Sequence, residues 1–418
     1  MRKVFSLSLL LTAVLSFGSV KTDIEDKHKK AYGFLATDLD AALEIGLETE
    51  QEAHEAGLAY EESNSVFIQA WVYQQRKELG KSFVLYLRAM EILKPSVADE
   101  KSARLYSTFC RNTGIILRNH FAYSQAIKYF DEGILISKEN SFYTSLCELY
   151  HIKSNVLSDT GDKDSALENI DIAMTYASKT ENHKTILKVL NDKGLILNSL
   201  DRGKDARAVF KEIVNSEFNS SSTYFLGKAW HNIGHSYFSE GNFDQALIAF
   251  KKASIIKSKE ANPAKEFITL TDMSETFYEL GQYDKAEEFG LKASEAYKSV
   301  DILPENYRIF ELLSSIYFAT GEFEESRKNT RIYLSENDKF LTQQEDLLRV
   351  KDQYKMELLA AGFFLEVNTS KTESIYTLLI TILSSLLTIA LVSGAIWQYW
   401  MRKSIKKSID SIRSENLL

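Results

Sequence analysis

Along most of this chain apolar side chains recur at the helical spacing of three and four residues, in runs separated by short polar connectors. The stretch AWHNIGHSYFSEGNFDQALIAFKKA, residues 229–253, shows the unit. Trp230, Ile233 and Tyr237 place large apolar groups on one face of a first helix. Gly241 closes that helix in the left-handed conformation that glycine adopts cheaply. A second helix follows, in which Ala246 permits close approach to the first and Phe250 fills the space between units. The unit repeats. Alanine recurs at Ala126, Ala166, Ala206, Ala246 and Ala286, with Ser326 next, always at a step of 40 residues. The closing glycine recurs as Gly161, Gly241, Gly281 and Gly321, with Phe121 and Asp201 as departures. Four residues after the alanine come Phe130, Ile170, Phe210 and Phe250. Self-similarity at a fixed period of this size predicts an all-α solenoid of stacked helix pairs.

Composition agrees with that reading. A chain of 418 residues is too long for one core, so several domains or a repeat array are expected. Proline is scarce, and Pro95, Pro263 and Pro304 all fall in connectors, where they end helices without breaking one. The net charge of −8 disfavours a nucleic-acid partner.

The two ends differ from the middle. Residues 1–18 combine a basic head, Arg2 and Lys3, with an apolar run and small residues at Ser16 and Gly18, the pattern of a cleaved signal peptide. Residues 375–400 carry no charge over a length sufficient for a transmembrane helix, with Tyr376 at one end and Trp397, Tyr399 and Trp400 at the other. The tail, residues 401–418, is basic through Arg402, Lys403, Lys406, Lys407 and Arg413. Positive flanks stay inside, so the expected topology is a single pass of the cytoplasmic membrane, body extracytoplasmic and C-terminus cytoplasmic.

The repeated residues resemble the tetratricopeptide repeat family. Trp230, Ile233, Gly234, Tyr237, Ala246, Phe250 and Ala253 occupy its signature columns. The resemblance covers six repeats over residues 107–334, starting at 107, 147, 187, 227, 267 and 307; residues 19–106 resemble degenerate repeats. It implies a right-handed TPR-like solenoid, here with a period longer than the family's usual ~34 residues. It also implies that the fifth and ninth positions of each repeat line a concave groove for a peptide or protein segment. The fifth positions are Arg111, His151, Asn191, His231, Thr271 and Glu311; the ninth are Ile115, Asn155, Leu195, His235, Glu275 and Ser315. Of these, Arg111, His151, Asn155, Asn191, His231, His235, Thr271, Glu275 and Glu311 are the candidate partner-binding residues.

His231 and His235, one helical turn apart, also raise the question of a metal. The stretch HNIGH shares only its histidines with the zinc-protease motif, since Asn232 stands where a general base is needed. Glu275 is the candidate third ligand from the next repeat, but the expectation is no metal. No phosphate loop, nucleophile elbow or kinase signature is present, so no catalytic residue, cofactor or enzyme activity is expected. Cys110 and Cys147 read as small buried hydrophobes, with a disulfide between neighbouring first helices as the alternative.

Residues 335–370 join the solenoid to the span. Heptad spacing of Phe340, Leu347 and Tyr354 allows a dimerising coiled coil, interrupted by Gln344 and Lys351; the alternative is a helix capping the last repeat. The whole order resembles the membrane-anchored extracytoplasmic sensor halves of Bacteroidetes proteins, in which a histidine kinase or helix-turn-helix output domain follows the span. Eighteen residues follow Trp400, fewer than such a domain needs. The expected function is a non-enzymatic interaction scaffold or sensor subunit at the membrane; the alternative is an accessory subunit of an envelope assembly or transport complex.

Overall fold

The computed structural model describes residues 2–120, 122–180, 182–217, 223–259, 263–301 and 303–343. The span read at 375–400, the basic tail and the juxtamembrane residues from 344 onward lie outside the described residues. Among the described residues no helix is long and apolar enough to cross a membrane.

Every regular element described is a helix. In order they are α1 (Arg2–Phe34), α2 (Leu39–Glu55), α3 (Ala59–Gln75), α4 (Leu79–Leu93), α5 (Glu100–Asn119), α6 (Tyr123–Glu139), α7 (Tyr143–Asp159) and α8 (Lys163–Ala177). Then come α9 (His183–Ser199), α10 (Gly203–Asn215), α11 (Thr223–Ser239), α12 (Phe243–Ser258), α13 (Pro263–Glu279), α14 (Tyr283–Ala296) and α15 (Pro304–Thr320). A last helix, α16, occupies residues 323–343. From Tyr143 to Tyr283 successive helices begin 20 residues apart, so two helices fill each 40-residue period. Each helix packs most extensively on its pair partner, as α7 does on α8 and α11 on α12. The first helices begin four residues ahead of the repeat starts read from the sequence, at Tyr143 against 147 and Thr223 against 227. Pro263 and Pro304 each open a first helix, where a missing N–H leaves no bond unmade.

The recurring alanines Ala126, Ala166, Ala206, Ala246 and Ala286 are all fully buried, as are Phe130, Ile170, Phe210 and Phe250. What lets them in is a third column, on the first helix: Gly114, Ser154, Gly194, Gly234, Ser274 and Ser314. A Cβ added at Gly234 would stand 2.5 Å from a ring carbon of Phe250, and one at Gly114 or Gly194 would collide with Phe130 or Phe210 in the same way. Where the first helix carries serine, the ring is gone. Ser154 meets Ile170 and Ser274 meets Gly290, and each serine hydroxyl donates to the carbonyl of the alanine column, Ser154 to Ala166 at 2.7 Å and Ser274 to Ala286 at 2.6 Å. Size on one helix is traded against size on the other, position by position.

The left-handed turns fall where the glycine column predicts. Gly241 has φ 74° and Gly161 φ 88°, while Asp201 holds the same conformation without being glycine, at φ 57°.

The helices before residue 100 keep the spacing without the signature. Leu39, Ala59 and Leu79 open helices 20 residues apart. Gln74 and Tyr86 occupy the places of the small first-helix residue and the alanine, and the tyrosine hydroxyl donates to the glutamine carbonyl at 2.9 Å. A hydrogen bond between two large side chains replaces close approach of two small ones. Between α1 and α3 a buried polar cluster does similar work: Asn64 Nδ2 donates to His28 Nδ1 at 3.0 Å, and the other ring nitrogen lies 2.8 Å from Ser65 Oγ. Burial pushes that imidazole down to about 4, so it stays neutral.

At the other end, residues 335–343 continue α16 rather than opening a separate element. Phe340 packs 6.1 Å from the Tyr307 ring, so this stretch covers α15 as the second helix of the last pair. The coiled-coil expectation rests on residues beyond 343 and lies outside the described residues.

Gly234→Ala separates two effects of opposite sign. At an open helix position the change stabilises by up to about 1 kcal/mol. Against Phe250 it should instead destabilise by about 1–3 kcal/mol through overpacking. Urea unfolding of the variant should give a lower midpoint, and most of the loss should vanish in a Phe250→Leu background. A raised midpoint would contradict this packing.

Candidate partner-binding face

The fifth-position residues were expected in an open groove; the structure places most of them in the seam between neighbouring first helices. His151, Asn191 and Thr271 are buried, and the His231 side chain is only 14% exposed. The reason is a polar step that links each first helix to the next, from a fifth position to the residue 41 places on. His151 Nε2 lies 2.6 Å from Asp192 Oδ2. Asn232 Nδ2 donates to Asn191 Oδ1 at 3.0 Å. His231 Nε2 lies 3.5 Å from Asp272 Oδ2. Arg111 pairs instead with Glu148 of α7, and Thr271 turns its hydroxyl back to the Phe267 carbonyl of its own helix at 3.1 Å. Within this column only Glu311 is open to solvent in full.

The opening pair of histidines therefore diverges. His231 packs its ring 5.6 Å from Phe250 and meets Thr269 Oγ1 through Nδ1 at 3.2 Å. It does not point away from the core, and its removal would leave a gap. His235 is exposed. Glu275 accepts from Arg308 Nη1 at 2.8 Å rather than turning to the histidines. Among the described residues no group of three or more His, Cys, Asp or Glu is placed to hold a metal ion. Cys110 and Cys147 are both free and buried, which corrects the disulfide alternative; burial pushes the Cys147 thiol up to about 11.

Asp272 is the most strained group in the seam. Its side chain is 7% exposed. One carboxylate oxygen accepts from Arg308 Nη2 at 2.7 Å, while the other is buried without a hydrogen-bond partner. Burial raises the carboxyl to about 7 although Arg308 pulls it down. Burial likewise holds the His231 imidazole well below its ordinary value, with Lys257 adding to the effect.

What remains open is the ninth-position row. Leu195 is 45% exposed, His235 is exposed, and Asn155, Glu275 and Ser315 are half-buried. Beside Leu195 and His235 lies a cavity of about 450 Å³, lined further by Asn198, Asn232, Ser236 and Glu240. The Asn198 side-chain oxygen is buried there with no hydrogen-bond partner. A smaller cavity of about 220 Å³ lies between α13 and α15, lined by Thr271, Glu275, Arg308 and Glu311. Neutral amide, hydroxyl and imidazole groups in one cavity and an ion-paired arginine in the other can hydrogen-bond an extended chain. Asn198, Asn232 and Ser236 were not singled out from the sequence; a signal existed in their polarity on an otherwise apolar helix turn.

Asp272→Asn keeps an oxygen for Arg308 and removes the buried charge. The folded carboxyl titrates near 7, against about 3.9 in an unfolded chain. The folded state thus holds an extra proton between those values, and stability contributed by this group falls as pH rises through them. Thermal melts should show the variant more stable than the wild type near about pH 8, with the difference closing toward about pH 4. His231 acts with opposite sign, costing stability as pH falls, but it is common to both proteins. A variant less stable than the wild type at alkaline pH would contradict this reading of the seam.

Residues 225–299 match the tetratricopeptide repeat family. No curated protein matches the sequence. Among solved structures, the apo form of RapI is similar with a TM-score of 0.58 at 14% identity, covering 82% of this chain and 98% of its own. A signal-transduction ATPase with a tetratricopeptide repeat sensor, from Pyrococcus horikoshii, gives 0.57 at 14% identity over 80% of this chain, which spans 50% of that protein. A tetratricopeptide repeat protein from Parabacteroides merdae gives 0.46 at 16% identity over 72% of this chain and 98% of its own. At such identities the likeness is one of fold. With the helix pairs, the small-residue columns and the family match in agreement, the chain is a tetratricopeptide repeat protein.

Proposed function

We propose that this protein is a non-enzymatic interaction subunit, a scaffold or sensor, whose first-helix face holds a segment of another protein outside the cytoplasmic membrane. The observation that carries the reading is the open row of ninth-position side chains beside the 450 Å³ cavity, where Asn198 presents an unpartnered acceptor. A buried acceptor without a donor costs about 1–3 kcal/mol, and a bound peptide N–H would recover it. The fifth-position residues support this face from behind by tying its helices together. The uncharged residues 375–400 and the basic tail support an anchor with the solenoid outside, and the first residues support export.

Photo-crosslinking in cells tests the face. A photoreactive phenylalanine at Leu195 or His235 should give a discrete crosslinked species, and one at the exposed second-helix residue Gln245 should not. Crosslinking from Gln245 with none from the other two would contradict the assignment.

Topology is tested separately. An alkaline phosphatase fusion after Thr369 should be active and one after Leu418 inactive. Activity at the C-terminal junction would overturn the orientation.

A further inference from the structure

The cations of the first-helix face are neutralised locally. Arg308 bonds Asp272 and Glu275, Arg111 pairs with Glu148, Lys153 with Asp131 at 2.5 Å, and Lys193 with Asp171 at 2.7 Å. One edge of the solenoid departs from this. Where the connectors from α6 to α7 and from α8 to α9 come together, an open depression of about 820 Å³ is lined by Arg104, Tyr143, Thr144, Lys179, Asn182 and Lys184, with Ser141, Phe142, Thr180 and His183 completing it. None of these residues is acidic, in a chain whose net charge is −8.

The cations here are held by rings. The Lys179 ammonium lies 4.8 Å from the Tyr143 ring and 5.3 Å from the Tyr176 ring. The Arg104 guanidinium lies 4.0 Å over Phe142, with Glu100 of its own helix as its one carboxylate, at 3.1 Å. Among the described residues neither Lys179 nor Lys184 has a carboxylate partner. The rings themselves form a stack, Tyr143 on Tyr176 with centroids 6.1 Å apart and Tyr176 on Tyr150 at 5.9 Å, and Tyr143 at its outer end is 41% exposed. A cation resting on an aromatic face keeps its N–H donors directed to solvent and loses less rotamer freedom on binding than a free lysine. The surface is wide and open, so it fits a chain carrying several carboxylates better than one small anion.

We propose that this edge, formed by Arg104, Tyr143, Lys179 and Lys184, is a second docking surface that takes an acidic, aromatic-containing segment of a partner protein. Carboxylates of the segment meet the ammonium and guanidinium groups, and an aromatic side chain extends the tyrosine stack at Tyr143. Being on a connector edge, this surface is separate in residues from the ninth-position row.

Fluorescence anisotropy of full-length protein in detergent, titrated into a labelled short peptide of glutamate and tyrosine, tests it. Lys179→Glu with Lys184→Glu should weaken binding about tenfold or more, and added salt should weaken wild-type binding. The milder pair Lys179→Gln with Lys184→Gln, checked for unchanged circular dichroism, should give a smaller loss in the same direction. Lys328→Glu, a reversal at an exposed residue of α16, and His235→Ala should both leave the peptide bound. Absence of peptide binding, equal loss from Lys328→Glu, no loss from either pair, or equal affinity for a single-stranded oligonucleotide would each overturn the proposal.

Discussion

Each helix pair is set by how closely a second helix can approach the first, and that distance depends on one small residue facing one ring. Gly234 under Phe250, Gly194 under Phe210 and Gly114 under Phe130 leave no room for a methyl group between them. Glycine in a helix interior costs about 1 kcal/mol relative to alanine, and burial of an aromatic side chain more than offsets it. Once the ring is seated, the alanine one turn earlier lies against the first helix, and a serine there can reach the alanine carbonyl, as Ser154 does. The connector lengths, the left-handed turn at Gly241 and the 20-residue helix spacing all follow from this contact.

Stacking of one pair on the next uses different chemistry. Polar side chains 41 residues apart meet across the seam at His151–Asp192, Asn191–Asn232 and His231–Asp272. Buried polar contacts of this kind give orientation more than stability, because a misplaced neighbour leaves each group unsatisfied. They fix the angle at which the ninth-position row is presented. Two cations, Arg308 and Arg111, are consumed in the same task.

Much of the fold was legible because its periodicity lies in residue size. A 40-residue step in alanines and a glycine after each first helix are visible in one dimension. The region before residue 100 was less legible because Gln74 and Tyr86 solve the same packing problem with a hydrogen bond. The site was less legible still. Whether a polar residue on a first helix faces solvent or a neighbour depends on what stands 41 positions later. His231 read as a groove residue until Asp272 and Thr269 were seen to receive it, whereas His235, one turn on, faces solvent. Lys179 and Tyr143 carried no motif at all; only the fold brings the two connectors together.

If size is traded between facing columns, the pairing found in one repeat should work in another. Ser154 over Ile170 can be transplanted as Gly194→Ser with Phe210→Ile. Equilibrium unfolding of the two single variants and the double variant measures this directly. Each single change should destabilise, Gly194→Ser by collision and Phe210→Ile by the gap it leaves, and the double variant should recover a coupling of roughly 0.5–3 kcal/mol. Strictly additive losses would contradict the claim that this contact sets the helix pair.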